Sequence, residues 1–84
     1  MYKTKDLAEA GTLILLKQRL ISIEREGRVC WFVFQNRGEC ERLSNQFFFG
    51  ECLVNARDYH EALGRLKNRI FQLINEDEKY KANP

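Results

Sequence analysis

Three cysteines and one histidine are the residues of this chain with the most distinctive chemistry: Cys30, Cys40, Cys52 and His60. They could formally supply the four ligands of a zinc ion, but no two of them stand at the short spacings of structural zinc sites. Buried cysteines more commonly act as small apolar side chains. An odd, widely spaced set is also a poor disulfide framework. We therefore predict three reduced thiols, no metal and no cofactor.

A cysteine–histidine pair is the one nucleophile arrangement that the sequence offers. Cys52 lies in a loop before the helix that carries His60, so the two side chains could approach each other. No third group stands out to orient the histidine, and an active site needs several placed groups. The glycines are isolated, and none belongs to a phosphate-binding loop. We predict no catalytic residues and no enzyme activity.

The element that must position these residues is a β-hairpin over residues 20–35. Both arms are rich in β-branched and aromatic residues, and an acidic residue followed by glycine separates them. With Glu26 and Gly27 as the two turn residues, Ile21 faces Phe32 on the core side. Trp31 then points to the other side, opposite Ser22. That second side is half apolar, so it is either a contact surface or is covered by another helix of the chain.

Helices are predicted on both sides of this hairpin in sequence. Thr4 caps a first helix that runs to about Lys17 and is apolar on most sides, so it should be buried between the sheet and either the last helix or a second subunit. Asn36 caps a second helix that ends at Gly50. The consecutive aromatics of residues 47–49 cannot share one helix face, so at least one meets another element, a partner or solvent.

The C-terminal part is predicted to be mainly one helix. Residues 52–54 are a possible third short strand, and Asn55 caps a helix whose apolar residues recur every three to four positions. The prediction is an α+β fold in the order α-β-β-α-α. A single domain over residues 1–76 precedes a polar tail, 77–84, that should fray.

Length and charge limit the possible functions. The 84 residues fit one domain, and 14 basic against 12 acidic residues give a net charge of +2 without a basic arm. Strong binding to a phosphate backbone is therefore not favoured. No apolar run is long enough to span a membrane and no signal peptide is recognisable, so we expect a reducing cytoplasm.

Two classes of macromolecular partner remain. A nucleic acid could stack on exposed rings while basic groups meet its phosphates. The candidate binding residues are Trp31, Arg25, Arg28, Phe48, Phe49, Arg65 and Arg69. Against this, Glu24 and Glu26 lie close to the same turn. The alternative is a protein–protein or homodimerisation module in which Trp31 and the phenylalanines anchor an apolar interface.

The order of several motifs resembles a family of small bacterial and phage domains of unknown function. The motifs are residues 2–7, the turn at 23–28, Val33-Phe34 and residues 50–55, and they are followed by Tyr59, Ala62, Leu63, Leu66 and Lys67. The similarity covers roughly residues 2–71. Members often have Asp-Pro where Asn55-Ala56 stands here, and a glycine near Gln18. The resemblance implies an intracellular prokaryotic or phage accessory protein and supplies no catalytic residues.

From residues and resemblance together, we expect a small non-catalytic accessory protein that binds a macromolecule. A nucleic-acid partner, single-stranded or duplex, is placed slightly ahead of a protein partner. We expect no membrane association and no small-molecule substrate.

Overall fold

A three-stranded antiparallel sheet is the framework of the protein, and its central strand is the second arm of the predicted hairpin. The structure, a computed structural model, describes the backbone of residues 1–81 and the side chains of residues 1–76. The strands lie side by side in the order β1-β3-β2. The elements along the chain are β1 (Tyr2–Thr4), α1 (Leu7–Leu15), β2 (Leu20–Glu26), β3 (Val29–Phe34), α2 (Arg37–Phe48) and α3 (Ala56–Lys81).

The α+β class is confirmed, but the predicted order α-β-β-α-α is wrong at the N-terminus. Tyr2 and Thr4 pair with Phe34 and Phe32 along the free edge of β3, so the chain starts with a strand. The helix begins later, because Asp6 rather than Thr4 is its cap: the Asp6 side chain accepts a hydrogen bond from the Glu9 backbone N–H at 3.0 Å.

The predicted third strand at residues 52–54 is also wrong, since residues 51–55 form a connector without strand structure. The third strand of the sheet is β1, which pairs along the edge of β3 that β2 leaves free. The connector lies against α2 instead, where the Cys52 thiol donates to the Leu43 carbonyl at 3.7 Å.

The hairpin is confirmed, whereas its turn lies one residue later than predicted, so each cross-strand partner near the turn changes by two residues. Glu26 pairs with Val29, so the turn residues are Gly27 and Arg28 rather than Glu26 and Gly27. Gly27 has φ +62°, and a glycine with positive φ at the first central position is the arrangement of a type II′ turn. A β-bulge follows at the other end of β2, where Ile21 is the extra residue between two paired neighbours.

The bulge and the turn together decide which side chains face the core. Ile23 lies opposite Phe32, and Leu20, beyond the bulge, lies opposite Phe34. Ile21, which we predicted to face Phe32, is 43% exposed. Trp31 is on the opposite side from Phe32, as predicted, but its cross-strand partner is Glu24 rather than Ser22.

All three helices pack on the side of the sheet that carries Phe32 and Phe34. α1 lies between the sheet and α3, which is one of the two arrangements predicted for it. Gly11 suits its close approach to α3, because a Cβ atom there would stand 3.0 Å from the end of the Leu63 side chain, which would have to shift. The buried core cluster consists of Ala10, Leu13, Phe32, Phe34, Cys40, Leu43 and Leu66.

The predicted caps of the last two helices are confirmed. Asn36 accepts from the Glu39 N–H at 3.0 Å, and Asn55 accepts from the Asp58 N–H at 3.1 Å. Gly50 follows α2 with φ +71°, the left-handed conformation predicted for it. Of the predicted frayed tail, residues 77–81 belong to the backbone of α3, and residues 82–84 lie outside the described residues.

Candidate interaction surfaces

The thiols and the histidine do not assemble into one site. Cys40 is buried, its thiol donates to the Gln18 side chain at 3.6 Å, and burial raises its pKa, with smaller contributions from Glu39 and Glu9. A thiol with a raised pKa is a poor nucleophile at neutral pH. His60 is exposed on α3, while the Cys52 thiol is bonded to the backbone of α2. Within residues whose side chains the structure describes, no three metal-binding side chains come together.

Among the residues that the structure describes, no helix packs on the second side of the sheet. This open sheet face consists of Lys3, Ser22, Glu24, Glu26, Val29, Trp31 and Val33. Trp31 is half-buried on the central strand, and Val33 beside it is only 1% exposed although it does not belong to the helix-packed core. The side chains around Val33 on this face must therefore cover it. The open sheet face thus carries one aromatic side chain, Trp31, on its central strand.

The charge of the open sheet face does not favour an anionic partner. Lys3 and Glu24 form an ion pair at 2.9 Å, with about half of each side chain exposed. Such an exposed pair neutralises the lysine while contributing little stability. Glu26 adds a second carboxylate, and Arg28 at the turn adds one cation. Phosphate groups would find no net positive charge here.

The structure places the basic residues predicted to bind nucleic acid on different sides of the molecule. Arg25 pairs with Cys30 on the helix side of the sheet, and its Nε donates to the Gly27 carbonyl at 2.8 Å. Arg28 lies in the turn. Arg65 and Arg69 are exposed on α3, which packs on the side of the sheet away from Trp31. Apart from Arg28 at the turn, none of these four arginines therefore shares a face with Trp31.

Two of the predicted aromatic residues do form a surface feature. Phe48 and Phe49, at the end of α2, are 80% and 71% exposed, and their rings meet edge to face with centroids 5.1 Å apart. Leu53 in the following connector is 92% exposed. We call residues 48–53 the α2–α3 corner. Of the three consecutive phenylalanines, Phe47 is half-buried and the other two face solvent.

The local backbone explains why this corner is so apolar on its outside. Gly50 turns the chain back, so the Gly50 and Glu51 N–H groups donate to carbonyls of the last turn of α2 at 3.1 and 2.8 Å. This motif satisfies the end of the helix and fixes the chain direction. Because α2 ends here, Phe48 and Phe49 have no following turn of their own helix to cover them.

A cluster around Glu9 was missed by the sequence analysis. The Glu9 carboxylate, half-buried on α1, accepts hydrogen bonds from the hydroxyls of Tyr2, Thr4 and Ser44. Burial raises the pKa of Tyr2, and its hydrogen bond to Glu9 raises it further. The network ties β1, α1 and α2 together. Tyr2 and Thr4 alternate as in a strand, which was the available signal, but three residues are too few for a convincing period.

No helix in the described part of the chain combines the length and the apolar composition that crossing a bilayer requires. No protein-family model matches the chain, and no curated protein or solved structure matches it either. A function has to be inferred from the chemistry of its own side chains.

Proposed function

We propose that this chain is a non-catalytic protein-interaction module that binds an apolar segment of a protein partner at the α2–α3 corner. The observation that supports the proposal is the exposure of Phe48, Phe49 and Leu53 within six residues. Exposed apolar residues scattered singly are ordinary, whereas a cluster of aromatics resembles the centre of an interface. The sequence placed a nucleic-acid partner slightly ahead of a protein partner. We reverse that order because the arginines predicted to bind nucleic acid lie on different sides of the molecule.

The two phenylalanines offer enough area to matter energetically. An aromatic side chain buries about 150–250 Å². At the observed exposures of 80% and 71%, a partner could cover roughly 230–380 Å² of the pair. At about 25 cal/mol per Å², this corresponds to about 6–9 kcal/mol before the costs of association are subtracted.

The low charge of the α2–α3 corner indicates an apolar protein segment as its occupant. Glu51 is the single charged residue among residues 48–53. Binding should therefore depend on apolar contact and respond weakly to salt, unlike binding to a nucleic acid. A second copy of the chain is a weaker fit, because the apolar surplus of α1 that suggested a homodimer is packed against α3 and the sheet.

A photo-crosslinking amino acid at position 48 tests the proposal in cells of the source organism. We expect one defined protein to be captured at position 48 and not at the matched control position 37, which is exposed at the opposite end of the same helix. Phe49→Ser should abolish the crosslink without unfolding the domain. The captured protein, once purified, should bind wild type at least tenfold more tightly than Phe49→Ser. Equal capture at both positions, or binding unaffected by Phe49→Ser, would refute the proposal.

The cellular setting stays part of the proposal. The motif order resembles small bacterial and phage domains, so we place the module in the cytoplasm as an accessory protein. If the crosslink yields only a dimer of this chain, the partner at the corner is a second copy of the chain and not a different protein.

A nucleic-acid partner is the second candidate, and Trp31 is the observation that favours it. A ring on the central strand of an open sheet face can stack on a base. Trp31 is also the only tryptophan, so its emission reports contact directly. If this candidate holds, a single-stranded oligonucleotide changes the emission at low salt, the effect weakens steeply as salt rises, and Trp31→Ala weakens binding by about 1–3 kcal/mol. A spectrum that oligonucleotide leaves unchanged at low salt would remove this candidate.

A further inference from the structure

A shallow recess lies at the hairpin end of the core, on the helix side of the sheet. Its volume is about 300 Å³. Lys5 contributes from the connection between β1 and α1, and Leu7 from the first turn of α1. Arg28, Val29 and Cys30 contribute from the hairpin, and Ile70 from α3. Three parts of the chain that are distant in sequence thus converge on one opening, which shares Val29 with the open sheet face and no residue with the α2–α3 corner.

The recess combines an apolar interior with two cations. Leu7, Val29 and Ile70 supply the apolar wall, the almost fully buried Phe32 lies behind them, and none of the described residues lining the recess is acidic. Within the described part of the chain, Lys5 and Arg28 have neither an ion pair nor a side-chain hydrogen bond, whereas Lys3, Arg37, Arg42 and Arg57 are paired with glutamates. Two cations without partners beside an apolar wall complement a molecule with a negative head and an apolar body.

We propose that this recess binds a small amphipathic carboxylate, such as a medium-chain aliphatic acid. The carboxylate would lie between Lys5 and Arg28, and the hydrocarbon would contact Leu7, Val29 and Ile70. The volume is at the lower end of the range for ligand pockets, which suits a molecule of about ten non-hydrogen atoms. For a ligand of that size, we expect a Kd between about ten micromolar and a few millimolar. The site is independent of the α2–α3 corner.

Octanoate is the probe, with octylamine and octanol as matched compounds that carry the same chain with a positive or a neutral head. We expect saturable amide chemical-shift changes at residues 5, 28, 30 and 70 with octanoate, and at least fivefold weaker binding of the other two. Octanoate should also slow alkylation of Cys30 by iodoacetamide. Cys52, on the α2–α3 connector, is the internal control, and its rate should not change.

Charge-removing variants separate this site from general binding to apolar surface. Lys5→Gln and Arg28→Gln should each weaken octanoate binding about five- to tenfold, because each removes one charge-assisted contact. Arg19→Gln, at the opposite end of the hairpin, should leave it unchanged. Both tested side chains are exposed, so amide spectra should confirm intact folding. Absence of saturable shifts at millimolar octanoate, equal binding of octanol, or unchanged affinity in Arg28→Gln would overturn the proposal.

Discussion

Replacing Glu9 with alanine should destabilise the protein more than any other single loss of charge on its surface. The Glu9 carboxylate accepts from three hydroxyls that belong to β1 and α2, so the substitution leaves Tyr2, Thr4 and Ser44 without their acceptor. A hydrogen bond to a charged group contributes about 1.5–3 kcal/mol to stability. The three bonds share one half-buried carboxylate and water can reach part of the site, so we expect about 2–4 kcal/mol in total.

That loss is a large share of the stability available to the domain. At about 0.05–0.15 kcal/mol per residue, a chain of 84 residues has a free energy of unfolding of roughly 4–13 kcal/mol. Urea unfolding followed by the fluorescence of Trp31 and by far-ultraviolet circular dichroism measures the change. The midpoint should fall while the slope stays constant, since the folded structure keeps its compactness.

Glu24→Ala is the matched control. It also removes one carboxylate, but this carboxylate belongs to an exposed ion pair with Lys3. Its effect should be below about 1 kcal/mol. Ser44→Ala should cost less in the Glu9→Ala background than in wild type, because the bond is already lost. The cluster would be structurally unimportant if Glu9→Ala and Glu24→Ala destabilised equally, or if the two losses at positions 9 and 44 simply added.

The same cluster predicts a pH dependence at the basic end. Burial and the hydrogen bond to Glu9 raise the pKa of Tyr2 in the folded protein. The folded state therefore keeps a proton that the unfolded chain releases once the pH passes the ordinary tyrosine pKa of about 10. The contribution of Tyr2 is present below that pH and is lost as the pH rises through the folded pKa. Parallel urea titrations at neutral pH and at the pH where folded Tyr2 deprotonates measure this. Wild type should lose more unfolding free energy than Tyr2→Phe between the two conditions.

Three further changes test the core, the turn and the thiols. Phe32→Ala should cost about 3–5 kcal/mol in urea unfolding because Phe32 is 1% exposed, whereas Ile21→Ala in the exposed bulge should cost less than about 1 kcal/mol. Gly27→Ala should cost about 1 kcal/mol in the same assay, since φ at this position is +62°. Cys40 should react with a thiol reagent more slowly than Cys52 at neutral pH, measured by peptide mapping, and equal rates would contradict its burial.

Local signals predicted the parts of the fold that local chemistry determines. The caps Asn36 and Asn55, the reversal at Gly50 and the hairpin itself follow from residues within a few positions of each other. β1 was not predicted, because three residues carry too little periodicity. Its pairing with β3 also depends on a contact some thirty residues away in sequence. The register was inferred from a turn at Glu26 and Gly27, whereas the turn lies one residue later, and the extra residue at Ile21 then breaks the two-residue alternation of β2.

The candidate surfaces were harder to predict for a related reason. Three consecutive aromatics had to leave at least one ring outside, and Phe48 and Phe49 are exposed. Whether Trp31 and the arginines share a face depends on how the helices pack on the sheet, which no local pattern specifies. The recess between Lys5 and Arg28 brings together residues from three separate elements, so only the folded chain reveals it.

The three residues of β1 have a consequence for aggregation. β3 reads Val-Cys-Trp-Phe-Val-Phe, an uncharged segment of high β-propensity without proline or glycine, the type that stacks readily into cross-β assemblies. In the folded protein both of its edges are occupied, one by β2 and the other by β1. β2 in turn presents charged residues at the rim of the sheet, which discourages further pairing. A truncation or an N-terminal fusion that displaces Tyr2–Thr4 would therefore leave one edge of β3 unpaired. That edge could then pair with strands of other chains and start aggregation.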